Sequence, residues 1–219
     1  MSSTPVRPSL TLPGSWQAVV FDMDGLLVHT ERQWLEAKVE LFRRHGQVLS
    51  AKDKAAVFGA DDQTTATYFT RRFDLDDDRI PEVRREYLAI VGELIDGGVE
   101  LTTGAVDVID RLAGTVPIAL ASNTRRPLVD RVLAQTPFGD RFGAIATGDE
   151  LPPKPAPDVY RAACERIGVD PATAVAIEDS PTGVKAARAA GLACIGVPSD
   201  PDHPLGEADH QVAALTELL

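Results

Sequence analysis

The chain has only two cysteines, Cys164 and Cys194, among 219 residues. Both lie in otherwise apolar segments, so they are better explained as small apolar fillers of a helix and a strand than as a disulfide or a metal-binding pair. No run of about 18 apolar residues occurs, which argues against a membrane-spanning helix. Residues 1–14 are polar and contain prolines, without the apolar run of a signal peptide. We therefore expect a cytoplasmic protein.

Basic residues are also scarce: 22 Lys and Arg face 33 Asp and Glu, a net charge of −11. An acidic surface is repelled by the phosphates of nucleic acids and by anionic lipids, so we expect neither nucleic acid nor membrane as a partner. We expect a monomer that acts on a small molecule. If that molecule carries a phosphate, the site needs its own local cations.

What the sequence does contain is a pair of carboxylates at the end of an apolar run. Residues 17–21 are typical of a buried parallel strand, and Asp22-Met23-Asp24-Gly25 follows directly. In open α/β sheets the ligand site lies outside the carboxyl ends of the strands. Two carboxylates there can hold a divalent cation, or divide the roles of nucleophile and proton carrier. Taken alone, Asp-x-Asp-Gly is more typical of a solvated turn.

Three further polar groups follow apolar runs or lie in a proline-rich loop, and these are Ser122 with Asn123, Lys154, and Glu178 with Asp179 and Ser180. Each also has an ordinary structural interpretation. Ser122 can belong to a turn, Lys154 to a solvated surface, and Ser180 to a helix N-cap. Their order along the chain, after successive predicted strands, favours a common site.

The alternation of strand and helix patterns predicts an α/β fold, a doubly wound, Rossmann-like parallel sheet. Strands are predicted at 17–22, 116–121, 143–147, 174–178 and 192–197, with a weak edge strand near Gln211. Helical periodicity replaces this pattern between residues 29 and 100. We therefore predict a mobile tail (1–15), a core (16–28 and 101–219) and an inserted all-α, four-helix domain (29–100).

The helices of the insertion are predicted from capping residues and apolar spacing. Thr30 and Gln33 form a capping-box pattern ahead of an apolar face that comprises Trp34, Leu35, Val39 and Phe42. The three later helices are predicted to begin at Ser50, Asp61 and Pro81, and the second to end at Gly59.

Two stretches carry a family resemblance: Phe-Asp-Met-Asp-Gly-Leu-Leu at 21–27 and Ile-Glu-Asp-Ser-Pro-Thr-Gly at 177–183. With Ser122 and Lys154 between them, they resemble the four motifs of the haloacid dehalogenase superfamily of phosphotransferases. The resemblance covers nearly everything from Gln17 onward. It implies a helical cap inserted after the first motif, which closes over the site and contributes to substrate choice.

The resemblance also implies a role for each polar group. Asp22 would attack phosphorus to form an aspartyl-phosphate, and Asp24 would move protons to the leaving group and from water. The phosphoryl group would be bound by Ser122, Asn123 and Lys154. Magnesium would be held by Asp22, the backbone carbonyl of Asp24, Glu178 and Asp179. Because a halide needs no proton, the presence of Asp24 argues against a dehalogenase.

The prediction is thus a magnesium-dependent phosphatase that acts on a small phosphate monoester, such as a sugar phosphate. A phosphoglucomutase-like isomerase is the alternative, and a non-catalytic phosphate-binding relative is a further one. Sugar-phosphate mutases that resemble this chain hold a second phosphate with cations in the cap, whereas this chain has Asp61 and Asp62 in the corresponding segment. His29 replaces an acidic residue of many relatives, and we expect either a substrate contact or a surface hinge position.

Overall fold

The computed structural model of the chain describes residues 15–57, 60–199 and 205–219. The predicted tail lies outside these ranges except for its last residue, and so does Gly59. Contacts between Cα positions divide the chain into two compact units. One unit runs up to His29 and resumes at Glu100–Leu219, and the other is Thr30–Val99.

The strands, in chain order, are β1 (Ala18–Phe21), β2 (Val28–His29), β3 (Glu100–Leu101), β4 (Ile118–Ser122), β5 (Ala144–Thr147), β6 (Ala174–Glu178), β7 (Ala193–Gly196) and β8 (His210–Gln211). Six of them form a parallel sheet in the order β5-β4-β1-β6-β7-β8. All six predicted strands are present, and the predicted α/β class is confirmed. The order reverses direction between β1 and β6, which is the switch point at which doubly wound sheets bind ligands.

The helices are α1 (Glu31–Arg44), α2 (Ala51–Ala56), α3 (Asp62–Arg72), α4 (Ile80–Asp96), α5 (Ala105–Ala113), α6 (Arg126–Leu133), α7 (Asp158–Arg166) and α8 (Pro181–Ala190). Alternate strand residues such as Ala18 and Val20 share a buried cluster with α7 and α8, and small alanines there allow close packing. Cys164 and Cys194 belong to this cluster as free, buried thiols, as predicted. Within the described ranges, no helix is long and apolar enough to cross a bilayer.

A two-stranded antiparallel ribbon, which the sequence did not predict, lies where the chain leaves and re-enters the first unit. Val28 pairs with Leu101, and His29 pairs with Glu100. The exposed His29 ring lies 3.4 Å from the Thr102 hydroxyl, measured from Nε2 to Oγ1. His29 is therefore part of this ribbon.

The second unit consists of α1 to α4, with a short 3-10 turn at Asp77–Arg79 before the last helix. Its core is aromatic: the Phe42 ring makes edge contacts with Phe69 and Phe73 at centroid distances of 5.0 and 4.9 Å. Phe69 in turn contacts Tyr87 edge-on at 6.0 Å. Such pairs stabilise a small core beyond their area burial.

Two predictions for α1 are wrong. Thr30 occupies the N-cap, but its side chain makes no capping hydrogen bond, and the Gln33 amide instead donates to the Gly98 carbonyl at 2.8 Å. The Gln33 side chain therefore makes a contact with a residue distant in sequence instead of forming the predicted capping box with Thr30. Leu35 and Val39 are 41% and 49% exposed, so the buried face of the helix is rotated away from them.

A capping box is present one helix later. The Ser50 hydroxyl accepts from the Asp53 amide, and Asp53 accepts from the Ser50 amide at 2.9 Å. Asp53 is buried and also accepts from the Tyr68 hydroxyl at 2.8 Å and from Arg72 at 3.0 Å. The helix that Ser50 opens runs to Ala56, and its predicted end at Gly59 lies outside the described residues.

Candidate active site

The site begins at the carboxyl ends of three adjacent strands. Asp22 follows β1, while Ser122 and Glu178 are the last residues of β4 and β6 on either side of it. All three residues are buried, at 7%, 1% and 0% exposure. The apolar strands therefore bring these polar groups together at the switch point of the sheet.

Lys154 lies inside this cluster rather than on the surface. Its Nζ donates to Asp22 Oδ1 at 2.5 Å and to Glu178 Oε1 at 2.6 Å. Burial lowers the pKa of Lys154, but the two neighbouring carboxylates outweigh it and raise the pKa above its ordinary value. Lys154 is therefore not a solvated surface residue, and two ion pairs hold its head inside the site.

Both carboxylate oxygens of Glu178 are engaged within the protein. Oε1 accepts from Lys154 and, at 2.6 Å, from the Tyr160 hydroxyl. Oε2 accepts from the Asp179 amide at 3.1 Å, and from the amide and hydroxyl of Ser180 at 3.3 and 3.1 Å. A carboxylate bonded in this way is held in one orientation.

Asp24 is held by two hydroxyl groups, one from the last residue of β4 and one from the loop after it. Its Oδ2 accepts from the Thr124 hydroxyl at 2.8 Å and lies 3.4 Å from the Ser122 hydroxyl. The Ser122 hydroxyl also accepts from the Thr124 amide at 3.0 Å. Ser122 and Asp24 are thus neighbours, which the sequence motifs alone do not show.

The side chain of Asn123 holds the loop that carries Lys154. The Lys154 amide donates to Asn123 Oδ1 at 2.7 Å, and Asn123 Nδ2 donates back to the Lys154 carbonyl at 3.2 Å. The predicted contribution of Asn123 was to bind the phosphoryl group. The structure adds a second one, because this reciprocal pair fixes the lysine backbone.

The site holds more negative than positive charge. Burial raises the pKa of Asp22 well above its ordinary value against the opposing charge of Lys154, and the other carboxylates add to the shift. Burial and the charge of Glu178 raise the pKa of Asp179 to about 7, although the Ser199 hydroxyl and Lys154 lower it. Three carboxylates surround one ammonium group, so a further cation bound beside them would be stabilised by their excess negative charge.

The same carboxylates meet the geometric requirement for such a cation. Asp22, Glu178 and Asp179 each offer an oxygen, and these oxygens lie within 4.8 Å of one another. Hard oxygen donors suit magnesium. The residues present therefore fit the predicted metal, although Glu178 already uses both of its oxygens in the protein.

The first unit contains every predicted site residue, namely Asp22, Asp24, Ser122, Asn123, Lys154, Glu178 and Asp179. Four residues that contact them were given no role from the sequence: Thr124, Tyr160, Gly183 and Ser199. Thr124 directly follows the Ser-Asn pair and Tyr160 lies in the first turn of α7, but neither pattern differs from that of an ordinary loop or core residue. Only the folded contacts reveal them.

Comparison with known proteins gives consistent matches. Residues 16–191 match a family model described as haloacid dehalogenase-like hydrolase. Protein CbbY from Rhodobacter capsulatus is 35% identical over 195 residues, which cover 84% of this chain and 86% of that protein. Hexitol phosphatase B from Escherichia coli (strain K12) is 30% identical over 218 residues, covering 95% and 97%.

Solved structures agree with these relatives. The crystal structure of CbbY from Rhodobacter sphaeroides in complex with phosphate superimposes with a TM-score of 0.82 at 29% identity, and covers 93% of this chain and 96% of that one. A mutant of the same protein was solved in complex with xylulose-(1,5)bisphosphate, with a TM-score of 0.81, 28% identity and coverage of 92% and 96%.

Proposed function

Because the chain belongs to the haloacid dehalogenase-like hydrolases, we propose that it is a magnesium-dependent phosphatase that hydrolyses a small phosphate monoester through an aspartyl-phosphate. The observation that carries this proposal is the buried Asp22–Lys154–Glu178 arrangement with Asp24 beside it. A binding module needs no second aspartate, so Asp24 argues against a non-catalytic relative.

Asp22 is the nucleophile in this proposal. A carboxylate attacking a phosphate dianion faces charge repulsion, so its ion pair with Lys154 matters. Oδ1 keeps that pair, and the other oxygen attacks phosphorus. Lys154, Ser122 and the backbone amide of Asn123 donate to the phosphoryl oxygens as charge develops on them.

Asp24 moves the protons. It protonates the leaving oxygen in the first step and takes a proton from the attacking water in the second. The Thr124 hydroxyl donates to Oδ2 of Asp24 at 2.8 Å, so Thr124 orients this carboxylate. General acid–base help of this kind gives about 10²- to 10⁴-fold in rate.

Magnesium, when bound, would neutralise charge on the phosphate and on the carboxylates. The residues that would hold it are Asp22, Asp179 and the backbone carbonyl of Asp24. Glu178 belongs to the same cluster, but its oxygens already accept from Lys154, Tyr160 and the start of α8. We therefore assign Glu178 to positioning Lys154 and propose no direct contact with the metal.

A sugar or sugar-alcohol phosphate is the proposed substrate class. The support is that the relatives include hexitol phosphatase B and a CbbY solved with xylulose-(1,5)bisphosphate. The boundaries of the inserted domain, its role as a cap, a cytoplasmic location and a monomeric state remain predictions alongside it.

The mutase alternative needs a cationic grip for a second phosphate. From the sequence alone, Asp61 and Asp62 are evidence against such a cationic site. Both carboxylates, however, have hydrogen-bond partners in their own unit. Asp61 caps α3 by accepting from the Thr64 amide at 2.6 Å, and Asp62 makes a two-bond ion pair with Arg84 at 2.9 and 3.0 Å. Their repulsion of a phosphate is thus weaker than the sequence suggests, and the choice of phosphatase rests on the relatives.

The test is a panel of phosphate monoesters assayed for released phosphate, with chelator, with magnesium and with calcium. Magnesium should restore activity, and calcium should not, because its longer bonds and higher ligand number disturb the in-line geometry. For β-glucose 1-phosphate, the products should be glucose and phosphate, with no stimulation by glucose 1,6-bisphosphate. Full activity in chelator would contradict the metal site, and bisphosphate-dependent glucose 6-phosphate would favour the mutase.

A further inference from the structure

Tyr160 is a buried residue of the site to which the proposed mechanism gives no task. It lies in α7, is fully buried, and donates its hydroxyl to Glu178 Oε1 at 2.6 Å. The same oxygen accepts from Lys154 Nζ at 2.6 Å. Tyr160 and Lys154 therefore share one acceptor.

The ring and hydroxyl of Tyr160 also border the ammonium group directly. Lys154 Nζ lies 4.8 Å from the ring centroid and 3.3 Å from the hydroxyl oxygen. Both distances are within the range of favourable cation–π and polar contacts. The lysine head is thus bounded by Asp22 and Glu178 and by the face and edge of this ring.

The three donor protons of Lys154 connect this arrangement to phosphate binding. An ammonium group has three donor protons, and two point to Asp22 and Glu178 at 2.5 and 2.6 Å. The third donates to the Tyr160 hydroxyl oxygen in this structure, and it is the proton that a phosphoryl oxygen would take over. The 3.3 Å contact with the Tyr160 oxygen is long enough to yield to a charged oxygen.

Glu178 by itself does not fix that orientation. A carboxylate oxygen offers about two lone-pair directions, and on Oε1 the Tyr160 hydroxyl occupies one and Lys154 the other. Oε2 is held by Ser180 and the Asp179 amide, so the carboxylate is not free to rotate. Removing the Tyr160 hydroxyl frees its lone pair on Oε1. The Lys154 ammonium group can then donate to that lone pair and turn away from Asp22.

We propose that Tyr160 is a positioning residue, whose hydroxyl orients Lys154 toward the phosphoryl group by taking one lone pair of Glu178. The inference rests on the proposed function in so far as Lys154 binds phosphate. The alternative is that Tyr160 only fills the cluster between α7 and the sheet, for which the ring alone suffices.

Tyr160→Phe keeps the ring and removes the hydroxyl. We expect the dissociation constant of inorganic phosphate, measured by calorimetry with saturating magnesium, to rise roughly 10-fold, as for a hydrogen bond to a charged group. kcat/KM should fall by at least the same factor. Magnesium affinity should not fall, because Tyr160 contacts none of the proposed direct ligands and a Lys154 that turns away from Asp22 leaves that carboxylate more negative.

Tyr68→Phe is the matched control. It also removes a tyrosine hydroxyl from a buried carboxylate, at 2.8 Å from Asp53 in the helical unit. Its melting temperature should fall about as far as that of Tyr160→Phe, with phosphate binding unchanged within about twofold. The comparison separates lost stability from lost positioning.

A double-mutant cycle with Lys154→Met completes the test. If Tyr160 acts through Lys154, adding Tyr160→Phe to that variant should change phosphate binding less than about twofold. Unchanged phosphate binding in the single variant, or losses that multiply in the double variant, would overturn the inference. Because phosphate binding needs no turnover, failure of the proposed reaction would appear separately, as a wild type that binds phosphate and hydrolyses no ester.

Discussion

Gly183 lies against the carboxylate of Glu178 so closely that a Cβ at Gly183 would stand 1.8 Å from Oε1. Gly183 is the third residue of α8, and its amide donates to the N-cap hydroxyl of Ser180 at 3.1 Å. The missing side chain of Gly183 therefore leaves space for the Glu178 carboxylate, which forms an ion pair with Lys154.

Replacement of Gly183 by alanine should therefore damage the site. The methyl group must displace Glu178 and with it Lys154, and misplacement by about 1 Å in an active site costs on the order of 100-fold in rate. Overpacking should also lower the free energy of unfolding by about 1–3 kcal/mol. Steady-state kinetics and denaturant unfolding measure the two effects.

Gly206→Ala serves as the control, because a Cβ there meets no atom within 4 Å. Its kcat/KM should stay within about twofold of the wild type. A Gly183→Ala enzyme with wild-type kinetics would show that the exact position of Glu178 does not matter for activity.

The second prediction concerns Asp24, whose proton matters most for poor leaving groups. Asp24→Asn should lower kcat for an alkyl phosphate by most of the roughly 10²- to 10⁴-fold that a general acid supplies. The first step with p-nitrophenyl phosphate should be much less affected, because nitrophenolate departs without a proton. Burst-phase kinetics on both substrates test this, and equal losses in the first step would count against Asp24 as the acid.

The third prediction is that the second unit, Thr30–Val99, becomes less stable at acidic pH. Burial opposes the charge on Asp53, but hydrogen bonds from Ser50, Tyr68 and Arg72 outweigh it and hold the pKa of Asp53 below its ordinary value. A folded-state pKa below the unfolded one stabilises the protein at neutral pH. That stabilisation is lost as the pH falls below about 4 toward the lower folded value.

Asp53→Asn is the comparison that isolates this effect. The difference in unfolding free energy between wild type and variant should be largest near neutral pH and should shrink below about pH 4. Trp34 lies in α1, so its fluorescence reports on this unit once Trp16, in the other unit, is replaced by phenylalanine in both proteins. A difference that is constant with pH would mean that the Asp53 carboxylate does not stabilise the fold through its charge.

Much of the fold could be predicted because apolar runs and helix periodicity are local signals. The family, the α/β class and the six-stranded sheet are confirmed, and the runs that end in Asp22, Ser122 and Glu178 are the strands β1, β4 and β6. The ribbon at His29 was missed, since strands of two residues have no periodicity to detect.

The finer contacts could not be predicted, because they join residues distant in sequence. Gln33 bonds to Gly98, 65 residues away, instead of to its own helix start. Tyr160 and Gly183 matter only because both reach Glu178 in the folded chain. A sequence motif names the residues that do chemistry, whereas those that orient them are set by tertiary packing.

The most direct test of the central claim is to trap the proposed intermediate on Asp22. Asp24→Asn should slow hydrolysis of the aspartyl-phosphate, so the intermediate should accumulate with p-nitrophenyl phosphate and magnesium. Borohydride reduces an acyl phosphate to an alcohol, and peptide mass spectrometry should then find residue 22 as homoserine. The signal should require both substrate and metal and be absent from Asp22→Asn, which should also lack turnover. A stoichiometric burst of nitrophenol that leaves Asp22 unmodified would contradict the account.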